Sequence, residues 1–224
     1  MTSGPQRRLF PRIGLGVLEH LERQGVAPVR PDAEGEAARS VGRVILVSST
    51  RAGEGKSFVA QGLAAALAEQ QDGDVVWVDA AFDRPPADGD IFRRGAAGLS
   101  EIMTLGSLQG LAPAGVGSER LWRLGRGVLA QPALLQRPGP VGKGLAALRA
   151  GFALIVLDAP SLEGCGALLA QADACVLVID SRRTSRGDAG RRLPRPGWAP
   201  GGWPGWCSIT GRGRSRAGWA AISA

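Results

Sequence analysis

The residues Thr50-Arg51-Ala52-Gly53-Glu54-Gly55-Lys56-Ser57 combine two glycines, a lysine and a hydroxyl in the order that a phosphate-holding loop requires. Gly53 and Gly55 carry no Cβ, so backbone N–H groups can turn inward around phosphate oxygens. A helical pattern follows from Phe58 to about Glu69. A helix N-terminus at this place adds unpaired N–H groups and the positive end of its dipole. Lys56 would reach β- and γ-phosphates as a point charge, and the Ser57 hydroxyl would ligate Mg²⁺. Gly53, Glu54, Gly55, Lys56, Ser57 and Phe58 are therefore candidate cofactor-binding residues. One position departs from the P-loop pattern: the glycine expected five residues before Gly55 is Thr50. The plain alternative is a glycine-rich strand–helix turn with an incidental lysine.

Binding a phosphate is not enough for hydrolysis or transfer, which also needs an acid to hold Mg²⁺. Asp79 directly follows the apolar run Val75–Val78, and Asp158 directly follows Leu154–Leu157. In an open parallel sheet the C-terminal strand ends form the ligand crevice, where a phosphate loop also emerges. Ser57, Asp79 and Asp158 are thus the candidate metal ligands, and Lys56, Asp79 and Asp158 the candidate catalytic residues. A lone aspartate after a strand can equally be a helix cap or a turn former.

The elements that must position these residues are legible as runs. Val44–Val47, Val75–Val78, Leu154–Leu157 and Val176–Ile179 are each four residues of Val, Ile, Leu or Trp with little alternation. That is the pattern of parallel strands covered on both faces. Helical pieces fall between them, at Phe58–Glu69, Leu99–Leu105, Leu145–Arg149 and Gly166–Ala172. Strands alternating with helices predict an α/β three-layer sandwich of P-loop type with a mostly parallel sheet. Residues 1–40 read as a leader helix and linker. Phe10, Ile13, Val17, Leu18 and Leu21 recur at helical spacing, which suits docking on the chain's own domain or a partner better than a membrane surface. Residues 26–35 are a linker by composition.

The domain proper is expected over 41–190. Residues 191–224 break the pattern: Pro194, Pro196, Pro200 and Pro204 crowd together, and four of the six tryptophans lie there. This tail is expected to be disordered or poorly packed and to supply no convincing strand, which leaves the sheet open to truncation at its C-terminal strand. The formal net charge of +7 is carried by the same end of the chain. Residues 181–224 hold nine arginines and one acid, Asp188, so the rest of the chain is close to neutral. No specific nucleic-acid partner is therefore expected. Cys165, Cys175 and Cys207 show no metal-ligand spacing, and their odd number argues against a disulfide framework. With no apolar run long enough to span a bilayer, a cytoplasmic location is expected.

At Arg51-Ala-Gly-Glu-Gly-Lys-Ser57, Val78-Asp-Ala-Ala-Phe-Asp-Arg-Pro85 and Phe152-Ala-Leu-Ile-Val-Leu-Asp-Ala-Pro160 the chain resembles the ATP-binding domains of bacterial tyrosine kinases of capsular and exopolysaccharide synthesis. The MinD/ParA-type ATPases are their fold relatives. Gly98–Met103 and Leu168–Asp188 extend the resemblance to residues 43–190. It implies ATP and Mg²⁺ as cofactors, and a membrane chain-length regulator, or copolymerase, as partner. It also implies a homo-oligomer and placement at the inner membrane through that partner. Arg51 stands where MinD/ParA-type relatives carry an extra lysine that reaches a neighbouring subunit's nucleotide, so it joins the cofactor-binding set.

Three positions differ from the kinase pattern. Ala81 replaces the second acid after the second strand. The chain contains no tyrosine, which excludes autophosphorylation on a tyrosine cluster. A subunit-contact helix survives only as Glu36-Ala-Ala-Arg39, with Arg43 one position late. The Arg/Gly/Pro/Trp bias begins where the resemblance ends, as a frameshift in GC-rich DNA would produce; the alternative is a genuine basic tail. The leading expectation is an ATP-binding regulator of a polysaccharide polymerisation and export complex. A MinD/ParA-type positioning ATPase and a degenerate, non-catalytic nucleotide-binding scaffold are the alternatives.

Overall fold

The computed structural model describes residues 6–23, 41–84, 96–109, 114–115, 119–180, 182–185, 206–210 and 220–223. Its strands are β1 (Arg43–Ser49), β2 (Val75–Asp79), β3 (Ala114–Gly115), β4 (Leu121–Leu124), β5 (Leu154–Asp158), β6 (Ala174–Ile179), β7 (Trp206–Thr210) and β8 (Ala220–Ser223). They form one sheet in the order β3-β4-β2-β5-β1-β6-β7-β8. All pairs from β4 to β7 are parallel, and β3 and β8 close the edges antiparallel.

The central strands are apolar on both faces because both faces are covered. Val44, Leu46, Val76, Val78, Ile155, Leu157, Cys175 and Leu177 point into one core. Helices α3 (Leu99–Leu105), α4 (Pro138–Gly151) and α5 (Gly166–Leu169) close that side. The alternate residues Ile45, Val47, Val75, Trp77, Val156, Val176 and Val178 point into a second core under α2 (Lys56–Gln70). Period-two alternation with neither face left wet yields the uninterrupted hydrophobic runs of a doubly covered sheet.

Helix α1 (Gln6–Arg23) belongs to this second layer. Its stripe of Phe10, Ile13, Val17 and Leu21 is buried in the same core as α2. The Phe10 ring lies against Gly62, where an added Cβ would come within 2.4 Å of ring carbons. It meets Phe58 edge to face, with centroids 5.4 Å apart. Gln70 Nε2 donates to the Pro11 carbonyl at 3.0 Å. The apolar face of α1 is thereby used within its own domain, which removes it from a membrane surface.

The structure corrects the expected truncation at the C-terminal edge. The backbone of β7 pairs with β6 from Cys175↔Trp206 to Ile179↔Thr210, and β8 turns back along β7. A strand is held through main-chain bonds, so a mixed run such as Trp206-Cys-Ser-Ile-Thr210 does not announce it in the sequence. The expected tail is therefore not without strands, whereas residues 186–205 and 211–219 lie outside the described residues. The linker at 26–35 and the Glu36–Arg39 segment lie outside them too. Between β2 and β5 a further parallel strand, β4, appears where only weak helical pieces are expected. Its Leu-Trp-Arg-Leu pattern is too mixed to read as a buried run. The helix anticipated at Leu145–Arg149 is the second half of α4, which starts with Pro138 at its first turn. No described helix is long and apolar enough to cross a membrane.

Candidate functional site

Strand register brings the predicted acids together. Asp79, the last residue of β2, is paired with Asp158, the last residue of β5. On its other side β5 pairs with β1, Val47 opposite Asp158, and two residues beyond Val47 β1 ends and the phosphate loop begins. Ser57, Asp79 and Asp158 thus share the C-terminal edge of the sheet.

In the loop, Gly53 and Gly55 adopt φ of 81° and 92°, a left-handed conformation that costs glycine nothing. Gly55 caps α2, whose first turn carries Lys56, Ser57 and Phe58. The N–H groups of that turn have no partner within the helix. Two predicted members of the set have other uses for their side chains. Phe58 packs against Phe10, so it can serve a ligand through its backbone alone. Glu54, 1% exposed, turns away from any cradle and accepts hydrogen bonds from Thr50 Oγ1, Arg51 N, Asp180 N and Thr184 Oγ1. The Arg51 side chain is exposed on the loop.

The acids are each met by an arginine that sequence reasoning did not assign. Arg84 Nη2 donates to Ser57 Oγ at 2.7 Å and to Asp158 Oδ2 at 3.1 Å, so one cationic nitrogen bridges the hydroxyl and the carboxylate. Asp158 is fully buried, and its Oδ1 has no hydrogen-bond partner. Burial pushes its pKa up to about 6, against the opposing pull of the Ser57 hydrogen bond and the Arg84 charge; the neighbouring Asp79 charge adds to the rise. Asp79 is better satisfied. Its Oδ2 accepts from Arg126 Nε at 3.1 Å and Nη2 at 2.6 Å, and its Oδ1 accepts from Ala81 N at 3.0 Å. Arg126 Nη1 also donates to the Arg84 carbonyl, which links the two arginines.

Glu101, near the start of α3, places Arg126. Its Oε2 accepts from Gly98 N and Ser100 Oγ, and its Oε1 from Val128 N and Leu129 N. Burial alone would raise the Glu101 pKa, but these N–H and O–H donors outweigh it and hold the carboxyl below its ordinary range. The loop at 125–129 is further tied to α3 by Leu99 N to Gly125 O and Ser100 N to Arg126 O, both 2.9 Å.

A hydroxyl and a carboxylate converging on one cation are the donor types Mg²⁺ takes. The orphaned Oδ1 leaves Asp158 with coordination capacity unused. The residues present therefore fit Mg²⁺ held by Ser57 and Asp158. Asp79 has both oxygens engaged, and it fits as the group that anchors Arg126. Among the described residues no cluster of three His, Cys, Asp or Glu side chains is gathered for a metal. Mg²⁺ commonly needs only one or two carboxylates when phosphate oxygens complete its shell. Arg84, Arg126 and Glu101 escaped sequence reasoning because their partners lie far away in sequence or depend on loop geometry. Arg84, inside the motif after β2, and Glu101, inside Gly98–Met103, lie in segments the sequence singles out, whereas Arg126 does not.

Comparison of whole structures gives this arrangement a context. The VpsO kinase domain is 21% identical, with a TM-score of 0.60 over 84% of this chain and 87% of that one. The chain has the fold of the bacterial tyrosine-kinase domains and the ParA-type ATPases. The kinase domain of Escherichia coli tyrosine kinase ETK is 19% identical, with a TM-score of 0.57 over 69% of this chain and 62% of that one. The chain thus spans less than two thirds of that domain. A ParA family ATPase from Chlorobium tepidum TLS is 19% identical, with a TM-score of 0.53 over 76% of this chain and 74% of that one. At these identities the likeness is one of fold. No family model and no curated protein matches the sequence.

Proposed function

We propose that the chain binds ATP with Mg²⁺ in the crevice between loop 50–57 and the ends of β2 and β5. In this reading it serves as an ATP-dependent regulator of exopolysaccharide or capsule assembly. The observation that supports nucleotide and Mg²⁺ binding most is Asp158 Oδ1, a fully buried carboxylate oxygen without a partner beside a phosphate loop. A buried acceptor left open costs stability unless a ligand fills it.

The division of labour follows from the geometry. Backbone N–H groups of the loop and the α2 N-terminus receive the phosphates, with Lys56 adding its ammonium charge. Ser57 and Asp158 are the residues that would hold Mg²⁺, which when bound offsets charge on the phosphate oxygens. Arg84, which holds Ser57 and Asp158 in the structure, would supply a positive charge at the rim of the site. Asp79 fixes Arg126, a second preorganised charge where negative charge would develop.

The tyrosine-kinase domains named above share this fold, and that likeness supports the polysaccharide branch of the proposal. Its partner would be a membrane-embedded chain-length regulator, with the chain held peripherally at the membrane and self-associating. A second reading, a nucleotide-binding scaffold without turnover, draws support from Ala81 and from the arginine already on each acid. Phosphate release from Mg-ATP that Lys56→Ala abolishes supports the ATPase. Calorimetric ATP binding with no release, alone or with the partner's cytoplasmic tail, supports the scaffold. Absence of ATP binding overturns both.

A further inference from the structure

Thr50 occupies the position where a P-loop pattern carries glycine, yet the loop keeps a left-handed turn at Gly53 and at Gly55. What shapes it instead is a side chain. Glu54 Oε2 accepts from Thr50 Oγ1 at 3.0 Å and from Arg51 N at 2.9 Å, both inside the loop. Its Oε1 accepts from Thr184 Oγ1 at 2.6 Å and Asp180 N at 3.3 Å, just past the end of β6. Glu54, Thr50 and Thr184 are all buried, at 1%, 3% and 3% exposure. A carboxylate this deep is tolerable only when its lone pairs are filled, and here both oxygens have two donors each.

We propose that Glu54 is the positioning residue of the phosphate loop and Thr184 its remote anchor. The carboxylate does from the side what a glycine does by backbone freedom, and it ties loop shape to Asp180 and Thr184. Their neighbour Arg183 also lays a charge on the loop: its Nη1 lies 2.9 Å from where a Cβ on Gly53 would stand. Nucleotide affinity therefore depends on a hydroxyl 130 positions away in sequence. Making the loop resemble the pattern more closely, by Thr50→Gly, weakens binding, because it deletes the donor on which the carboxylate relies. This inference rests on the nucleotide-binding reading above.

Titration calorimetry of the full chain with Mg-ADP tests it. Thr184→Val and Thr50→Gly are each expected to weaken binding about tenfold, the scale of one lost hydrogen bond to a charged group. Thr184→Ser keeps the hydroxyl and is expected to bind like the parent. Combined with Glu54→Gln, Thr184→Val is expected to add little, since the two act through one bond. Urea unfolding of each variant identifies those that are folded under the assay conditions. A merely structural contact would lower the unfolding midpoint and leave the affinity of the folded protein unchanged. That outcome, for Thr184→Val and Thr50→Gly with parental binding intact, overturns the inference and spares the nucleotide site. A parent chain that binds no Mg-ADP overturns the nucleotide reading itself, and the inference with it.

Discussion

Glu54 and Asp158 are two buried carboxylates at the same edge of the sheet, and they are treated in opposite ways. Glu54 has two donors on each oxygen, all from the protein. Asp158 has Arg84 on Oδ2 and Ser57 beside it, and its Oδ1 has no partner. Equal burial with unequal satisfaction separates their purposes. The first carboxylate is complete within the fold and sets the shape of a loop. The second is incomplete within the fold, and in the proposed reading Mg²⁺ would complete it. The loop side of the crevice is thus prebuilt, and the acid side awaits a ligand.

The largest effect tests the loop side through Lys56. Lys56→Ala is expected to weaken ATP binding about a hundredfold or more, since it removes the ammonium from the phosphates. Equilibrium dialysis or calorimetry would show it, and binding unchanged within twofold would move the nucleotide elsewhere. Next comes the satisfied carboxylate. Glu54→Ala strands buried donors, and urea denaturation is expected to show a loss of about 2–3 kcal/mol. A loss below 0.5 kcal/mol would mean that the four bonds do not act as a unit.

The unsatisfied carboxylate makes the opposite demand, visible in pH. With a folded-state pKa raised to about 6, against an ordinary value of about 3.9, Asp158 binds its proton more tightly when folded. Its contribution to stability is therefore complete below about pH 4 and is lost as pH rises to about 6. Between those values the metal-free parent is expected to lose stability relative to Asp158→Asn, by an amount on the order of 2 kcal/mol. Parallel pH profiles for the two proteins would contradict the raised pKa. The smallest effect concerns the stand-in cation. Arg84→Ala is expected to tighten binding of Mn²⁺, used as a paramagnetic substitute for Mg²⁺, by roughly threefold. Weaker Mn²⁺ binding would show that Arg84 supports the site instead of competing for it.

How far the sequence reached follows the same division. The four central strands, the loop, α3 and the meeting of Ser57 with Asp79 and Asp158 were legible, because they depend on local runs and on the topology those runs impose. β4 and β7 were not, since a strand of mixed composition is recognised only by the neighbour it pairs with. In the sequence Glu54 reads as a cofactor contact because it sits in the loop; its burial and its bond to Thr184 belong to tertiary structure. Arg84 and Arg126 were missed for a related reason. A charge pair spanning 74 or 47 positions leaves no spacing to detect. The substitution of Thr50 for glycine, which looked like a defect of the motif, becomes intelligible only beside Glu54.

In the proposed reading Asp158 completes a Mg²⁺ site for a nucleotide held by the loop. Calorimetry of ADP binding, with Mg²⁺ and with chelator, on the parent and on Asp158→Asn tests it most directly. Mg²⁺ is expected to strengthen binding about tenfold or more in the parent, and the variant to keep the metal-free affinity but lose this enhancement. An equal Mg²⁺ enhancement in both proteins, or none in the parent, would contradict it.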